Sequence, residues 1–221
     1  MTALARLRPR PRSCVAIVSC GTVLTSNAVL CAITAAQTRA AVAEPALRAE
    51  FVQLGRDDQA AREGLADAIK SNNAVFREKL IEGDAARTKR LKEVVSAYGW
   101  PTLALIGRDG VDAAWLILQH SADSAWQEEM LPRLQAASET GDISRADVAL
   151  LTDRVLLHAG RPQRYGSSFS VVNGRLVAEA IEDEINVDSR RAAVGLPSMA
   201  EYALLLADLY KMPVEWPRQP K

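Results

Sequence analysis

Leu47, Phe51, Leu54, Ala61 and Leu65 fall at spacings that put side chains on one face of an α-helix. The pattern predicts a helix over residues 46–81, with a break at Ser71-Asn72-Asn73. Asp84 reads as the N-cap of the next helix, which Leu91, Val94 and Val95 stripe and Gly99 and Pro101 end. A short apolar connector, 100–106, leads to a helix over 110–121. Ser124 and Gln127 have capping-box spacing and open another helix, which Pro132 should kink and Gly141 ends. Ser144 caps a strongly apolar helix through Val148, Leu151, Val155 and His158. The period then changes. Two short β-prone runs flank Asn173-Gly174, the signature of a hairpin with a type I′ turn. Asp188 caps a short helix before Gly195, and Ser198 with Glu201 opens the last helix, to about Lys211. The expected fold is mainly α: an irregular helical bundle with one small β-hairpin near residues 169–180. The domain should occupy 44–212, followed by a loose Pro-rich tail over 213–221.

Residues 1–43 do not fit that pattern. They hold Arg6, Arg8, Arg10, Arg12 and Arg39 and no acid, and the apolar stretch over 13–36 is diluted by Ser, Thr and Asn. Ala41-Val42-Ala43 has the small-x-small form of a signal-peptidase site. The expectation is an exported, periplasmic or secreted protein. An uncleaved anchor over 13–36, a mitochondrial presequence and a lipoprotein box at Ile17-Val18-Ser19-Cys20 stand as rivals. The segment contributes +5 to a formally neutral chain, so the remainder carries −5. A mildly acidic domain argues against nucleic acid and against membrane binding other than through the N-terminal segment. Cys14, Cys20 and Cys31 all lie in that segment, so the domain itself has no disulfide, thiolate nucleophile or Cys-ligated zinc. Two histidines 38 residues apart argue against a transition-metal site, and no motif for a cofactor appears.

The candidate chemistry lies in polar residues where a plain core would be apolar. Asp58 sits on the first helical stripe, with Arg62 one turn on; the pair is either a boundary salt bridge or an acid facing an internal site. His120 ends an apolar helix, with Asp123 placed to orient its ring; it is either a hydrogen-bonded core residue or a general acid or base. His158, before Gly160, complements a helix dipole. Asp153-Arg154 interrupts a very apolar helix and either clamps the following chain or lines a pocket. Gln163 and Tyr165 lie in a loop entering the hairpin. Arg190 and Arg191 read as first-turn residues, where cations oppose the dipole, which suggests an anion: Asp153, Glu182 or a ligand.

Taken in order, Gly99-Trp-Pro-Thr, Ala114-Trp-Leu-Ile-Leu-Gln-His120, Gln127, Leu151-Thr-Asp-Arg-Val155, Gln163-Arg-Tyr-Gly-Ser167 and Arg190-Arg-Ala-Ala-Val-Gly-Leu-Pro197 resemble a bacterial family, the domain of unknown function 6624. The resemblance covers most of residues 46–206 and implies no reaction. Relatives commonly carry Thr-Gln after Tyr-Gly; this chain has Ser167-Ser168.

Two functional classes follow. The first is a small-ligand-binding or hydrolytic enzyme. Here His120 is acid or base and Asp153 its partner, Arg154 with Arg190 or Arg191 clamps a small anionic ligand, and Gln163 and Tyr165 position it. The second is a non-catalytic protein-interaction module. In that case the same residues are internal staples, and an exposed apolar patch lies elsewhere.

Overall fold

The computed structural model describes residues 42–216. The leader, apart from Val42 and Ala43, and the end of the tail lie outside the described residues. Eight α-helices and a small sheet form the fold: α1 (Pro45–Ala61), α2 (Leu65–Lys70), α3 (Ala74–Tyr98), α4 (Leu103–His120), α5 (Ser124–Glu139), α6 (Arg145–His158), β1 (Phe169–Val172), β2 (Arg175–Ala178), α7 (Val187–Ala193), α8 (Met199–Tyr210) and β3 (Val214–Glu215). No helix among the described residues is long and apolar enough to cross a membrane.

The helix expected over 46–81 is three pieces. Gly64 adopts a left-handed φ of 78° and Asn72 a φ of 51°, and each turns the chain. Asn73, not Asp84, caps α3, accepting from the Phe76 N–H. α3 therefore runs through Gly83 and Asp84, and Asp84 is an interior helix residue with ion-pair partners instead of backbone ones. The connector before α4 is itself a helical turn, capped by Thr102 and kinked at Gly107, where φ is 69°. α5 is capped by Asp123, not Ser124. Gln127 is fully buried and its amide donates to the carbonyls of Leu118 and Ser121, so it closes the end of α4 instead of completing a capping box. α5 continues through Pro132.

The cap at Ser144 and the Ser198–Glu201 capping box form as expected. So does the hairpin: Val172 pairs with Arg175 across Asn173 and Gly174, both at positive φ, as a type I′ turn requires. The tail adds to it, because Val214–Glu215 pairs in parallel with β2 and makes a three-stranded sheet. α7 begins at Val187, so Arg190 and Arg191 lie in its last turn, where a cation suits the dipole. Asp188 does not cap it; its carboxylate accepts from the Met199 N–H at the start of α8.

Two apolar clusters result. The larger joins α1 and α3–α6 around Phe51, Leu91, Ile106, Leu118, Met130 and Leu151. The smaller joins the sheet, α7 and α8 around Phe169, Leu176, Met199, Tyr202 and Leu206, with Ala66 and Ile69 of α2 packed on it. α1 and α4 lie unusually close. A Cβ on Gly55 would sit 2.8 Å from that of Ala113, so only glycine permits the approach. Contacts Arg48–Asp109, Gly55–Ala113 and Asp58–His120 occur in step, so the two helices run in the same direction.

Candidate functional site

The close pairing of α1 and α4 brings together two residues 62 positions apart. His120 Nδ1 lies 3.0 Å from both carboxylate oxygens of Asp58, which is fully buried. The partner of His120 is thus Asp58. It is neither Asp123, which caps α5 and pairs with Lys92 on the surface, nor Asp153. Because an ionised carboxylate only accepts, Nδ1 carries the proton and Nε2 the lone pair. Among the described residues no hydrogen-bond partner meets Nε2, and the side chain is 11% exposed.

Three charged side chains, Arg62, Asp84 and Arg87, frame the pair. Arg62, just past the end of α1, sends Nη1 to Asp58 Oδ1 at 2.7 Å and Nη2 to Asp84 Oδ2 at 2.8 Å. Arg87, one turn along α3 from Asp84, donates to Asp84 Oδ1 at 2.6 Å, and its Nε stands 3.6 Å from Asp58 Oδ1. Asp58, Arg62, Asp84 and Arg87 therefore form a ring of alternating charge. Gln59 adds a donor to Asp58 Oδ2 at 2.9 Å. Arg154, partly buried on α6, stands close enough for its charge and that of Arg62 to act on each other. Burial would raise the Asp58 carboxyl, but the hydrogen bond and charge of His120, with Arg62 and Gln59, outweigh it and hold the group below its ordinary value. For His120, burial dominates and pulls the imidazole below its ordinary value against the pull of Asp58 and Asp84, and Arg62 lowers it further. The imidazole is therefore neutral at neutral pH and offers a base. Gln59 also lines an open groove of about 580 Å³ between α1 and α4, with Val52, Arg56, Asp112 and Leu116; His120 follows Leu116 by one turn.

The remaining expected site residues gather elsewhere, around the loop 163–168. Asp153, fully buried on α6, accepts from the backbone N–H groups of Arg164 at 2.7 Å, Tyr165 at 2.8 Å and Ser167 at 2.9 Å. Burial raises its carboxyl, opposed by the same N–H groups; three donors call for the ionised, accepting form. Arg191, also fully buried, donates to the carbonyls of Tyr165 and Pro197, and its guanidinium lies 4.8 Å from the Tyr202 ring centre. Arg190 donates to the carbonyls of Arg164 and Glu182. The Gln163 amide accepts from Ser168 N–H and donates to the carbonyls of Ser168 and Glu179, while Tyr202 Oη donates to the Ser167 carbonyl. Tyr165 contributes its backbone to this clamp and packs its ring on the larger cluster. His158, exposed at the end of α6, makes no hydrogen bond to either group among the described residues.

The sequence brought out Asp58, Arg62 and His120 but not Gln59, Asp84 or Arg87. The signal for the last two was available: an (i, i+3) acid–base pair on the stripe that leads to Leu91. Among the described residues no three His, Cys, Asp or Glu side chains converge as metal ligands.

Fold and site together define a mainly helical domain with a buried carboxylate–imidazole pair set in a ring of ions. Residues 45–215 match the model of a family of unknown function, DUF6624, and the chain belongs to that family. No curated protein and no solved structure matches.

Proposed function

We propose that this chain is a hydrolytic enzyme for a small anionic substrate, with Asp58 and His120 as its general-base pair. The observation that carries this reading is the Asp58–Nδ1 bond, which leaves Nε2 of a neutral imidazole without a hydrogen-bond partner among the described residues. That is the arrangement by which a carboxylate fixes the tautomer of a histidine base. Water is the nucleophile this reading assigns. The domain has no cysteine, and Ser121, next to His120, accepts from the Asp123 N–H instead of facing the imidazole. His120 would take a proton from water through Nε2, and Asp58 would stabilise the imidazolium. Arg154, whose charge responds to that of Arg62, is the residue this reading assigns to the substrate's anionic group. Asp153, Gln163, Tyr165, Arg190 and Arg191 then hold the scaffold. The leader supports action after export, which cell fractionation of the tagged chain would test.

The test uses the full chain against a panel of nitrophenyl esters, with and without a carboxylate, and nitrophenyl phosphate. His120→Ala should lower turnover about 100-fold or more, and His158→Gln should leave it unchanged. Nitrogen-15 spectra of the histidines should show the Nδ1–H tautomer at His120. Turnover that survives His120→Ala, or an Nε2–H tautomer, would overturn the assignment.

A further inference from the structure

We infer that Asp84 is a positioning residue for the Asp58–His120 pair: through Arg62 it fixes the carboxylate that aims the imidazole. The inference rests on His120 being the base of the site. Asp84 touches neither Asp58 nor His120, and it comes from a third helix, α3.

Arg62 carries the link. An arginine one turn after an aspartate ordinarily makes a loose pair. Here its planar fork is split. One nitrogen holds Asp58 and the other holds Asp84, 22 positions along the chain. A guanidinium held at both tips cannot pivot, so the Asp58 oxygen it grips is fixed as well. Asp84 is in turn held from its other oxygen by Arg87. Asp58 Oδ2 is set by Gln59, and Nδ1 of His120 shares both oxygens. The last link is the ring whose Nε2 has no hydrogen-bond partner among the described residues.

Charge gives a second role. Two carboxylates and two guanidinium groups cancel around a neutral imidazole, which is the condition for holding four ions in so buried a place. Removing Asp84 leaves two guanidinium groups against one carboxylate, with Arg154 close by on α6. The charged form of His120 then becomes harder to reach, although nothing that touches the imidazole has changed. The Asp84 charge also pulls on His120 directly, so the link through Arg62 is read from whether the Asp84→Asn effect survives the loss of Arg62.

The experiment uses the full chain with histidine labelled in nitrogen-15, in a His158→Gln background so that one imidazole is observed. In Asp84→Asn the His120 midpoint should fall below the parent's, while the amide spectrum stays folded. Asp84→Glu should restore it in part. The Asp84→Asn shift should shrink when Arg62 is already Gln, because the link is then cut; a shift of the same size there would be the direct charge effect alone and would overturn the inference. A folded Asp84→Asn whose His120 titration superimposes on the parent's would overturn the inference. Should Asp84→Asn fail to fold, Arg62→Gln decides. Loss of exchange protection at the His120 Nδ1 proton supports the link, and unchanged protection overturns it. Absence of turnover on the ester and phosphate panel would sink the hydrolytic reading and leave these spectra to decide on Asp84.

Discussion

Asp153 and Asp58 are both fully buried carboxylates on helices of the same cluster, yet their surroundings differ in kind. Asp153 is satisfied by backbone: three N–H groups of one loop, whose carbonyls Arg191, Gln163 and Tyr202 take up in turn. Every polar group there serves to fix the path of residues 163–168, which joins the larger apolar cluster to the smaller. Asp58 is satisfied by side chains that titrate or carry charge, and the network ends at a nitrogen with no partner among the described residues. A backbone N–H carries no titratable charge, so the bonds of Asp153 tie its carboxylate to the path of the loop and to no proton-carrying group. A network of side chains that ends in an open lone pair can pass a proton. One buried acid is thus bound into the path of a loop, and the other ends at the imidazole proposed above as the base.

The largest effect should come from cutting the clamp. Asp153→Asn can keep Arg164 and Tyr165 N–H on its carbonyl oxygen but turns an NH₂ group to the Ser167 N–H, leaving that buried donor unpaired and removing a negative charge beside the Arg191 guanidinium. The expected loss is about 3–5 kcal/mol, the scale for removing one partner of a buried charge. Urea titration of the full chain measures it. A loss under about 1 kcal/mol would erase the distinction between the two acids and return Asp153 to the list of site candidates.

The elements were mostly legible in the sequence because caps and turns are local. Gly99, Ser144, Ser198–Glu201 and Asn173-Gly174 act within four residues of themselves, and each does what its chemistry dictates. The misreadings arose where a local signal had a distant partner. Asp84 follows a glycine and looks like a cap, yet its carboxylate is engaged by Arg62 and Arg87. Asp188 also looks like a cap, yet its carboxylate holds the start of α8. Asp58 and His120 stood out singly as polar residues on apolar stripes. Their pairing depends on how closely α1 approaches α4, which one glycine against one alanine decides. No periodicity within either helix carries that information, and the nearest acid in sequence, Asp123, was the natural but mistaken partner.

A smaller effect separates the two regions by pH. Unfolded, His120 should titrate near 6.5, while folded it titrates lower. Between those values the unfolded chain binds more protons, so stability rises with pH across the window. The contribution is complete above about 6.5 and is lost as pH falls through the window. His158 is lowered too, by burial and then by Arg154, so its contribution must be removed first. In a His158→Gln background, the stability of the parent should slope upward below pH 6.5, by at most about 1.4 kcal/mol per pH unit for one proton. Adding His120→Gln should flatten that slope. Equal slopes would mean that His120 titrates alike folded and unfolded, and that the neutral base assigned to the site is not built into the fold.

The smallest effect tests the identity of the partner. Asp123 lies three residues from His120 and caps α5 through the Trp126 N–H at 3.0 Å, while its other oxygen meets Lys92 on the surface. Removing it in Asp123→Ala should cost about 1 kcal/mol as a lost helix cap. The exposed ion pair with Lys92 adds little, because solvent screens it. His120 should titrate in that variant as it does in the parent, since no bond joins the two side chains. Asp58→Asn should behave in the opposite way. It leaves an amide facing Nδ1, takes a negative charge from beside the ring and moves the His120 midpoint further down. Measured side by side, the two variants separate nearness in sequence from nearness in the fold. A His120 midpoint that moved with Asp123 and not with Asp58 would break the pairing on which the site is built.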